Sequence, residues 1–294
     1  MSTHPAHRGS ICLEDGTVIS QTRFPGDQFV LRLHAPKCAA RAEPGSFAHL
    51  QVDDDIPMRR PLSIMRVDRG SGCIEILYKI VGPGLAALAR RRDGDRLSVL
   101  GPIGQGFKPQ ASRPKTLLIG GGVGIPPMVF LAEELAAASQ PWQPLVLMGS
   151  EIPFPFETRP STILIDGMPS GVIATMPLLE NQGIPVRLAS RSGFPGCFDG
   201  YITELASLWL ESLQPAALAE VEIFACGPTP MLEAVARVAA RFKLPCQVSL
   251  EEYMACAVGG CAGCTVKVKT PSGPAMKRVC VDGPVFDGYA VFDV

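Results

Sequence analysis

Four of the ten cysteines fall within the last forty residues, as Cys256-Ala-Val-Gly-Gly-Cys261-Ala-Gly-Cys264, followed after fifteen residues by Cys280. The spacing C-x4-C-x2-C…C is that of plant-type [2Fe–2S] centres. Such a centre needs four thiolates, three of them here supplied by nine residues that must wrap one side of a small anionic cluster. Val258 aside, the residues between the three are Gly or Ala, so backbone N–H groups can point at sulfur without side-chain clashes. Zinc is the competing chemistry, but zinc sites more often join one short Cys pair to another, and only one short pair stands here. The fourth ligand is expected from a neighbouring hairpin, with Val266-Lys-Val268 and Val279 as its strands. The remaining six cysteines read as buried structural residues.

Three further segments carry possible chemistry. Gly120-Gly-Gly-Val-Gly124-Ile-Pro126-Pro127 follows an apolar run and opens a helix. Glycines at 120, 121, 122 and 124 let backbone approach a pyrophosphate, and a helix N-terminus offers N–H donors to it. The run is not G-x-G-x-x-G, so alone it is a weak signal. Cys226-Gly227-Pro228 ends a later strand before another helix, the edge at which open α/β sheets bind ligands. Arg60-Pro61-Leu62-Ser63 puts a cation, a fixed-φ residue and a hydroxyl together, a set able to hold a phosphate and a ring edge.

The elements that must position these residues divide the chain in three. Up to about Phe107, short alternating strands such as Phe29–Leu33, Ser46–Val52 and Cys73–Ile80 suit an antiparallel barrel, with one helical turn at Leu85–Arg92. From Thr116, apolar runs at Thr116–Ile119, Leu145–Met148, Val186–Ala189 and Val221–Ala225 alternate with helices at Pro127–Ala138 and Pro230–Lys243, the pattern of a parallel α/β sheet. The second helix sets Met231, Leu232, Val235, Val238, Ala239 and Phe242 on one face. A polar stretch at Lys108–Pro114 separates the halves, and a tail from Gln247 is too small for a large core without a metal staple. The expected domains are 1–112, 113–246 and 247–294.

Composition narrows the function classes. Lys plus Arg number 27 against 28 Asp plus Glu, so no charge excess favours a nonspecific polyanion binder. Gly (30) and Pro (28) make nearly one residue in five, which calls for many turns and close backbone approaches. The N-terminus, MSTHPAHRGS, has no apolar h-region, and Leu117–Leu135 is broken by four glycines and two prolines. A reducing, cytoplasmic setting is the expectation, with His4 and His7 in a floppy tail.

Together these motifs resemble the ferredoxin-reductase superfamily and, within it, the electron-transfer subunits of class 1B dihydroorotate dehydrogenase. The resemblance runs in order through Pro44–Leu50, Arg59–Ser63, Leu77–Gly82, Leu100–Phe107, Gly120–Pro127, Cys226–Met231, Ser249–Cys256 and Cys280–Phe286. It implies a multi-domain chain: a β-barrel binding FAD, a Rossmann-like α/β domain binding NAD(P)(H), and a C-terminal [2Fe–2S] domain. Arg60, Pro61, Leu62 and Ser63 would hold FAD, Leu77, Tyr78 and Lys79 would line it, and Gly84-Leu85 would approach its pyrophosphate. A related ferredoxin:NADP oxidoreductase subunit carries Asp where Cys256 stands, so four cysteines favour the dihydroorotate type.

Two departures stand out. Leu85 occupies a position where the family usually has Thr. The chain is also longer than usual between residues 150 and 200, where Ala189-Ser-Arg-Ser192 replaces an Asp-containing run. Asp suits a ribose 2′-hydroxyl and Arg a 2′-phosphate, which leaves both nicotinamide coenzymes open.

The implied electron order is nicotinamide, FAD, cluster and partner, because a flavin can exchange either a hydride or single electrons. No acid–base constellation for oxidising dihydroorotate is visible. The expected partner is therefore a separate FMN-containing dihydroorotate dehydrogenase subunit, assembled by resemblance as a heterotetramer. The alternatives are a reductase serving ferredoxin or another redox protein, and a flavin-free sensor or scaffold.

Overall fold

The computed structural model describes Gly9 and residues 11–294. His4 and His7, expected in a floppy tail, lie outside the described residues. The chain divides into two compact units, one running to Phe107 and including Ser249–Phe286, the other comprising Lys108–Val248 and Asp287–Val294.

The first unit is built on a closed antiparallel barrel of order β1-β2-β5-β4-β3-β6. Its strands are β1 (Cys12–Phe24), β2 (Gln28–His34), β3 (Phe47–Gln51), β4 (Arg60–Asp68), β5 (Cys73–Lys79) and β6 (Arg96–Ile103). Closure removes the free edges that short strands would otherwise expose. Alternation sends Leu31, Leu33, Leu50, Ile64, Ile74, Ile76 and Val99 into the interior. The two short helices of this unit are α1 (Pro36–Ala39) and α2 (Pro83–Leu88). The sequence pattern placed the second at Leu85–Arg92. It starts earlier because Pro83, with φ already fixed, suits a first helical turn.

The second unit carries β7 (Lys115–Gly121), β8 (Gln143–Gly149), β9 (Arg159–Pro160), β10 (Ala174–Thr175), β11 (Val186–Ala189), β12 (Val221–Cys226) and β13 (Cys246–Ser249). Its helices are α3 (Ile125–Ala137), α4 (Pro177–Glu180), α5 (Ile202–Ser212), α6 (Pro215–Leu218) and α7 (Thr229–Phe242). The main sheet has the order β11-β8-β7-β12-β13, and the β11–β8, β8–β7 and β7–β12 pairs are parallel. Strand order therefore reverses at β7, the switch point at which such sheets bind ligands. On α7, Leu232, Val235, Ala236 and Ala239 are buried, while Val238 and Phe242 are half-buried.

Residues Ser249–Phe286 cluster with the barrel. Within them β14 (Thr265–Thr270) and β15 (Gly273–Arg278) form an antiparallel hairpin that pairs Thr265 with Arg278. Val279 was expected inside a strand but falls just beyond β15, in the turn that presents Cys280. The strand β16 (Val285–Asp287) and helix α8 (Gly288–Val291) follow.

The long 150–200 region is organised around one carboxylate. Glu180, at the end of α4 and 6% exposed, accepts from Ser161 Oγ at 3.0 Å, Thr162 N at 2.7 Å, Ile163 N at 3.2 Å and Thr175 Oγ1 at 3.2 Å. Burial pushes this carboxyl up, but the donors outweigh it and hold it below the usual carboxylate range. Arg187, buried in β11, donates to the carbonyl of Ile163 at 2.6 Å and clamps the same segment. Phe154 packs on Phe156 at 5.4 Å and on Phe194, which lies beyond β11, at 6.2 Å. A depressed folded acid constant means stabilisation that is present above the unfolded value and lost as pH falls through the folded one. Glu180→Gln should therefore cost about 2 kcal/mol at neutral pH and flatten the acid side of the stability profile in urea unfolding followed across pH.

Candidate functional site

The cysteine loop lies in the first unit and directs its backbone at sulfur. The N–H of Cys261 points at Cys256 Sγ, that of Gly263 at Cys261 Sγ and that of Cys280 at Cys264 Sγ, each at 3.4 Å. Ala257 and Ala262, each directly after a cysteine, take left-handed φ values of 55°. For a residue with a Cβ that conformation costs roughly 1–2 kcal/mol. It is what folds successive N–H groups inward into an anion-binding concavity. Sequence reasoning, which noted only that these residues are small, missed the strain.

Two of the four sulfurs lie side by side. Cys264 and Cys280 stand 3.3 Å apart, and the N–H of Val279 bonds the carbonyl of Cys264 at 2.9 Å. Two thiolates on one tetrahedral iron, each about 2.3 Å from it, would be separated by about 3.8 Å. This pair is slightly tighter than that. Two iron atoms sharing four thiolates hold two each, and the Cys264–Cys280 pair suits one of them.

Charge follows the same plan. Burial pushes the Cys256 thiol up, but N–H donors from Val258, Cys261 and Gly260 bring it down to about 7. Burial and the neighbouring Cys264 push Cys280 up to about 12. A bound metal displaces that proton, so the donor set fits an iron–sulfur cluster.

Arg278 is a residue the spacing did not single out. Its Nη1 donates to the carbonyl of Gly259 at 2.9 Å, and its own N–H donates to Asp282 at 2.8 Å, joining the loop to the turn that carries Cys280. A cation two residues before the last cysteine was its only signal.

In the barrel, Arg60 opens β4 with Nη1 donating to the carbonyl of Met58 at 2.8 Å. A Cβ on Gly84 would lie 2.3 Å from Arg60 Nε, so the two candidate segments touch because residue 84 is glycine. Pro61 and Ser63 are half-buried and share the outer face of the barrel with their β3 partners His49 and Phe47. Leu62 turns inward. The neighbouring Arg59 is structural, donating to the carbonyls of His49 and Ser98 and to Ser98 Oγ.

Three residues expected to line a cofactor do not offer side chains to one. Leu77 and Tyr78 are 2% and 1% exposed, with Tyr78 Oη donating to Gln21 at 2.7 Å and its ring stacked on Phe29. Leu85 packs into the core through α2. Only the backbone at these positions and the half-buried Lys79 remain available.

At the C-terminal edge of the second sheet the glycine loop and the Cys226 loop meet. Cys226 pairs with Gly120 across β12 and β7, and a Cβ on Gly124 would stand 2.3 Å from the Cys226 carbonyl oxygen. A Cβ on Gly121 would lie 2.3 Å from Met231 Sδ, and one on Gly227 2.6 Å from Met231 Cε. These glycines serve packing between loops. Gly122 differs: its φ is +55° and nothing lies within 4 Å of the Cβ position, so its backbone has room for a ligand. Pro126, in the first turn of α3, is buried, and Pro228 is exposed. A depression of about 430 Å³ lined by Arg113, Lys243, Pro245 and Tyr289 lies where β7 and β13 begin, away from this edge.

Of the other six cysteines, Cys38, Cys73, Cys226 and Cys246 are buried as expected, whereas Cys12 and Cys197 are only half-buried. Burial pushes Cys38 and Cys246 far up and Cys197 up to about 11, which leaves them as thiols.

Residues 251–292 match the family described as the iron–sulfur cluster binding domain of dihydroorotate dehydrogenase B. The Desulforamulus reducens protein named dihydroorotate dehydrogenase B (NAD(+)), electron transfer subunit, is 31% identical over 279 residues, covering 94% of this chain and 97% of its own. The chain belongs to that family of electron transfer subunits. A second member, from Geobacillus thermodenitrificans, is 34% identical over 275 residues, covering 92% of this chain and 95% of its own. Among solved structures, an NADH-dependent reduced ferredoxin-NADP oxidoreductase superposes with a TM-score of 0.75 at 24% identity, over 94% of this chain and 89% of that one. Phthalate dioxygenase reductase gives 0.55 at 16%, over 94% and 78%. Both likenesses establish the ferredoxin-reductase fold, barrel and parallel sheet together.

Two expected outcomes follow from this geometry. Cys280→Ser should leave protein purified without oxygen short of visible absorption and iron, whereas Cys38→Ser keeps both. Gly124→Ala should lower stability by about 3 kcal/mol or more, read by thermal unfolding, because neither backbone segment can retreat from the added carbon.

Proposed function

We propose that this chain is the FAD- and [2Fe–2S]-bearing electron-transfer subunit of a dihydroorotate dehydrogenase. It would exchange electrons between NAD(P)(H) and a separate FMN-containing catalytic subunit in pyrimidine biosynthesis. The observation that carries the reading is the cysteine loop. Its four thiols, inward-facing N–H groups and lowered Cys256 acid constant form a cluster site within the same compact unit as the barrel.

Each segment then has a task. Arg60, resting in the space that Gly84 leaves without a Cβ, supplies a fixed cation for the flavin pyrophosphate. Pro61 and Ser63 present a flat edge and a hydroxyl on the barrel's outer face. Gly122 and the first turn of α3 offer N–H groups to the dinucleotide phosphates, with Cys226-Gly227-Pro228 at the adjoining strand end. Cys256 and Cys261, with Cys264 and Cys280, hold the cluster. A flavin, when bound, supplies the conversion between hydride and single-electron transfer.

The remaining assignments follow from family membership. They are three functional modules at 1–112, 113–246 and 247–294, a heterotetramer with the catalytic subunit, and a cytoplasmic location. No helix among the described residues is long and apolar enough to cross a membrane.

Anaerobic affinity isolation from the native host tests the proposal. The preparation should contain about one flavin and two irons per chain, and a dihydroorotate dehydrogenase should co-purify. Brisk NAD(P)H-dependent dye reduction without that partner, and with ferredoxin in its place, would assign the chain to a reductase instead.

A further inference from the structure

Just beyond the end of β6, Gly104-Gln105-Gly106 meets the turn that carries Cys280. Gln105 is half-buried there. Its backbone N–H donates to the carbonyl of Gly283 at 2.6 Å. Its side-chain Nε2 donates to the carbonyl of Val281, the residue directly after Cys280, at 3.3 Å. An isolated parallel bridge also pairs Gln105 with Pro284. Gly104 permits the approach, since a Cβ there would stand 2.3 Å from Pro284 Cδ.

The other bonds of this turn are of a different kind. The N–H groups of Val281 and Asp282 donate to the Arg278 carbonyl at 3.0 and 2.7 Å, and Lys277 pairs with Asp282 at 3.6 Å. With the bond from Arg278 N–H to Asp282, these all lie between residues 277 and 282. They set the shape of the turn and not its place. Val279 and Cys280 bond to Cys264, which joins the turn to the cysteine loop. Gln105 reaches it from the barrel, 176 residues away in sequence from Val281.

The barrel end of this contact leads to the candidate flavin segment. The register sets Ile103 of β6, Phe47 of β3 and Ser63 of β4 abreast, two strand spacings or about 10 Å across. Ile103 and Phe47 are buried, so this rung is packed on the core and does not slide. Gln105 stands two residues beyond Ile103. One hydrogen-bonded frame inside one compact unit therefore runs from Ser63 to the residue beside a cluster ligand.

Electron transfer falls steeply as two centres move apart, so a site that performs it needs its parts held in place by supporting residues. We propose that Gln105 is a positioning residue for the electron step between flavin and cluster: its grip on the Cys280 turn fixes how far the cluster stands from the flavin. The proposal rests on the FAD/[2Fe–2S] reading above. In that step one electron leaves the reduced flavin and one enters the oxidised cluster, and no bond to Gln105 is made or broken.

Two variants test the grip on the cofactor-loaded chain. Gln105→Met keeps the side chain's length and the backbone bond but removes the donor, and Gln105→Lys restores a donor at similar reach. Hydrogen exchange at the Val281 and Asp282 amides should run about two- to ten-fold faster in Gln105→Met and return toward native in Gln105→Lys. Flash reduction of the flavin by photoexcited deazaflavin, with electron arrival followed by the cluster's EPR signal, reads the step without any coenzyme. Arrival should slow at least about three-fold in Gln105→Met and recover in Gln105→Lys. Iron content, flavin content and the cluster's midpoint potential should stay native in both variants, which separates distance from driving force. An unchanged arrival rate or unchanged exchange in Gln105→Met overturns the proposal. So does a slowing that comes with lost iron or a moved potential, or one that Gln105→Lys fails to reverse. A native chain that takes up no flavin or no iron instead overturns the reading beneath, and the electron role falls with it.

Discussion

Between Gly124 and the Cys226 carbonyl there is no room for a single carbon atom, since a Cβ would lie only 2.3 Å from that oxygen. The rest of the second unit depends on this closeness. It fixes the glycine loop against the end of β12, so that α3 begins where β7 stops and its first-turn N–H groups open toward the sheet edge. Gly121 and Gly227 let Met231 of α7 into the same junction, which joins both helices to one point. Only Gly122 is left with space above it. The loop is thus mostly an internal joint, with one residue kept clear for a ligand.

The same constraint recurs in the first unit with different residue types. Backbone has to face anionic sulfur at Cys256, Cys261 and Cys264, yet two of the turning residues are alanines at φ 55°. Hydrogen bonds of 3.4 Å from Cys261, Gly263 and Cys280 N–H groups are what the strain obtains. Arg278 keeps that strained loop closed by holding the Gly259 carbonyl. A loop lacking this tie would have to keep Ala257 and Ala262 left-handed without help from the turn that carries the fourth ligand.

Periodicity made the barrel strands at 29–33 and 73–80 legible, as well as β7, β8, β11 and β12, but not β13. The cysteine spacing singled out the segment that matches the iron–sulfur binding family, residues 251–292. What it did not show were contacts between segments distant in sequence. The burial of Tyr78 and Leu77 comes from strands 40 to 60 residues away, including the Tyr78 bond to Gln21. Nothing in the sequence marks Glu180, on which Ser161, Thr162, Ile163 and Thr175 converge from segments 5 to 19 residues away. Helix α5 was missed although its apolar residues recur at helical spacing, because the Pro- and Gly-rich stretch before it masks its start.

The 150–200 region links these points. Its length is absorbed by a self-contained polar knot at Glu180 and Arg187, so the strand β11 can end at the same level as β7 and β8 whatever is inserted before it. Residues just beyond a strand end fixed in this way can vary without disturbing the core. Arg191 and Tyr201 are both exposed and touch chiefly each other, whereas Ser190 beneath them is buried and holds the turn. A fold that buries the support and exposes the tip lets the tip differ while the core beneath it stays as it is.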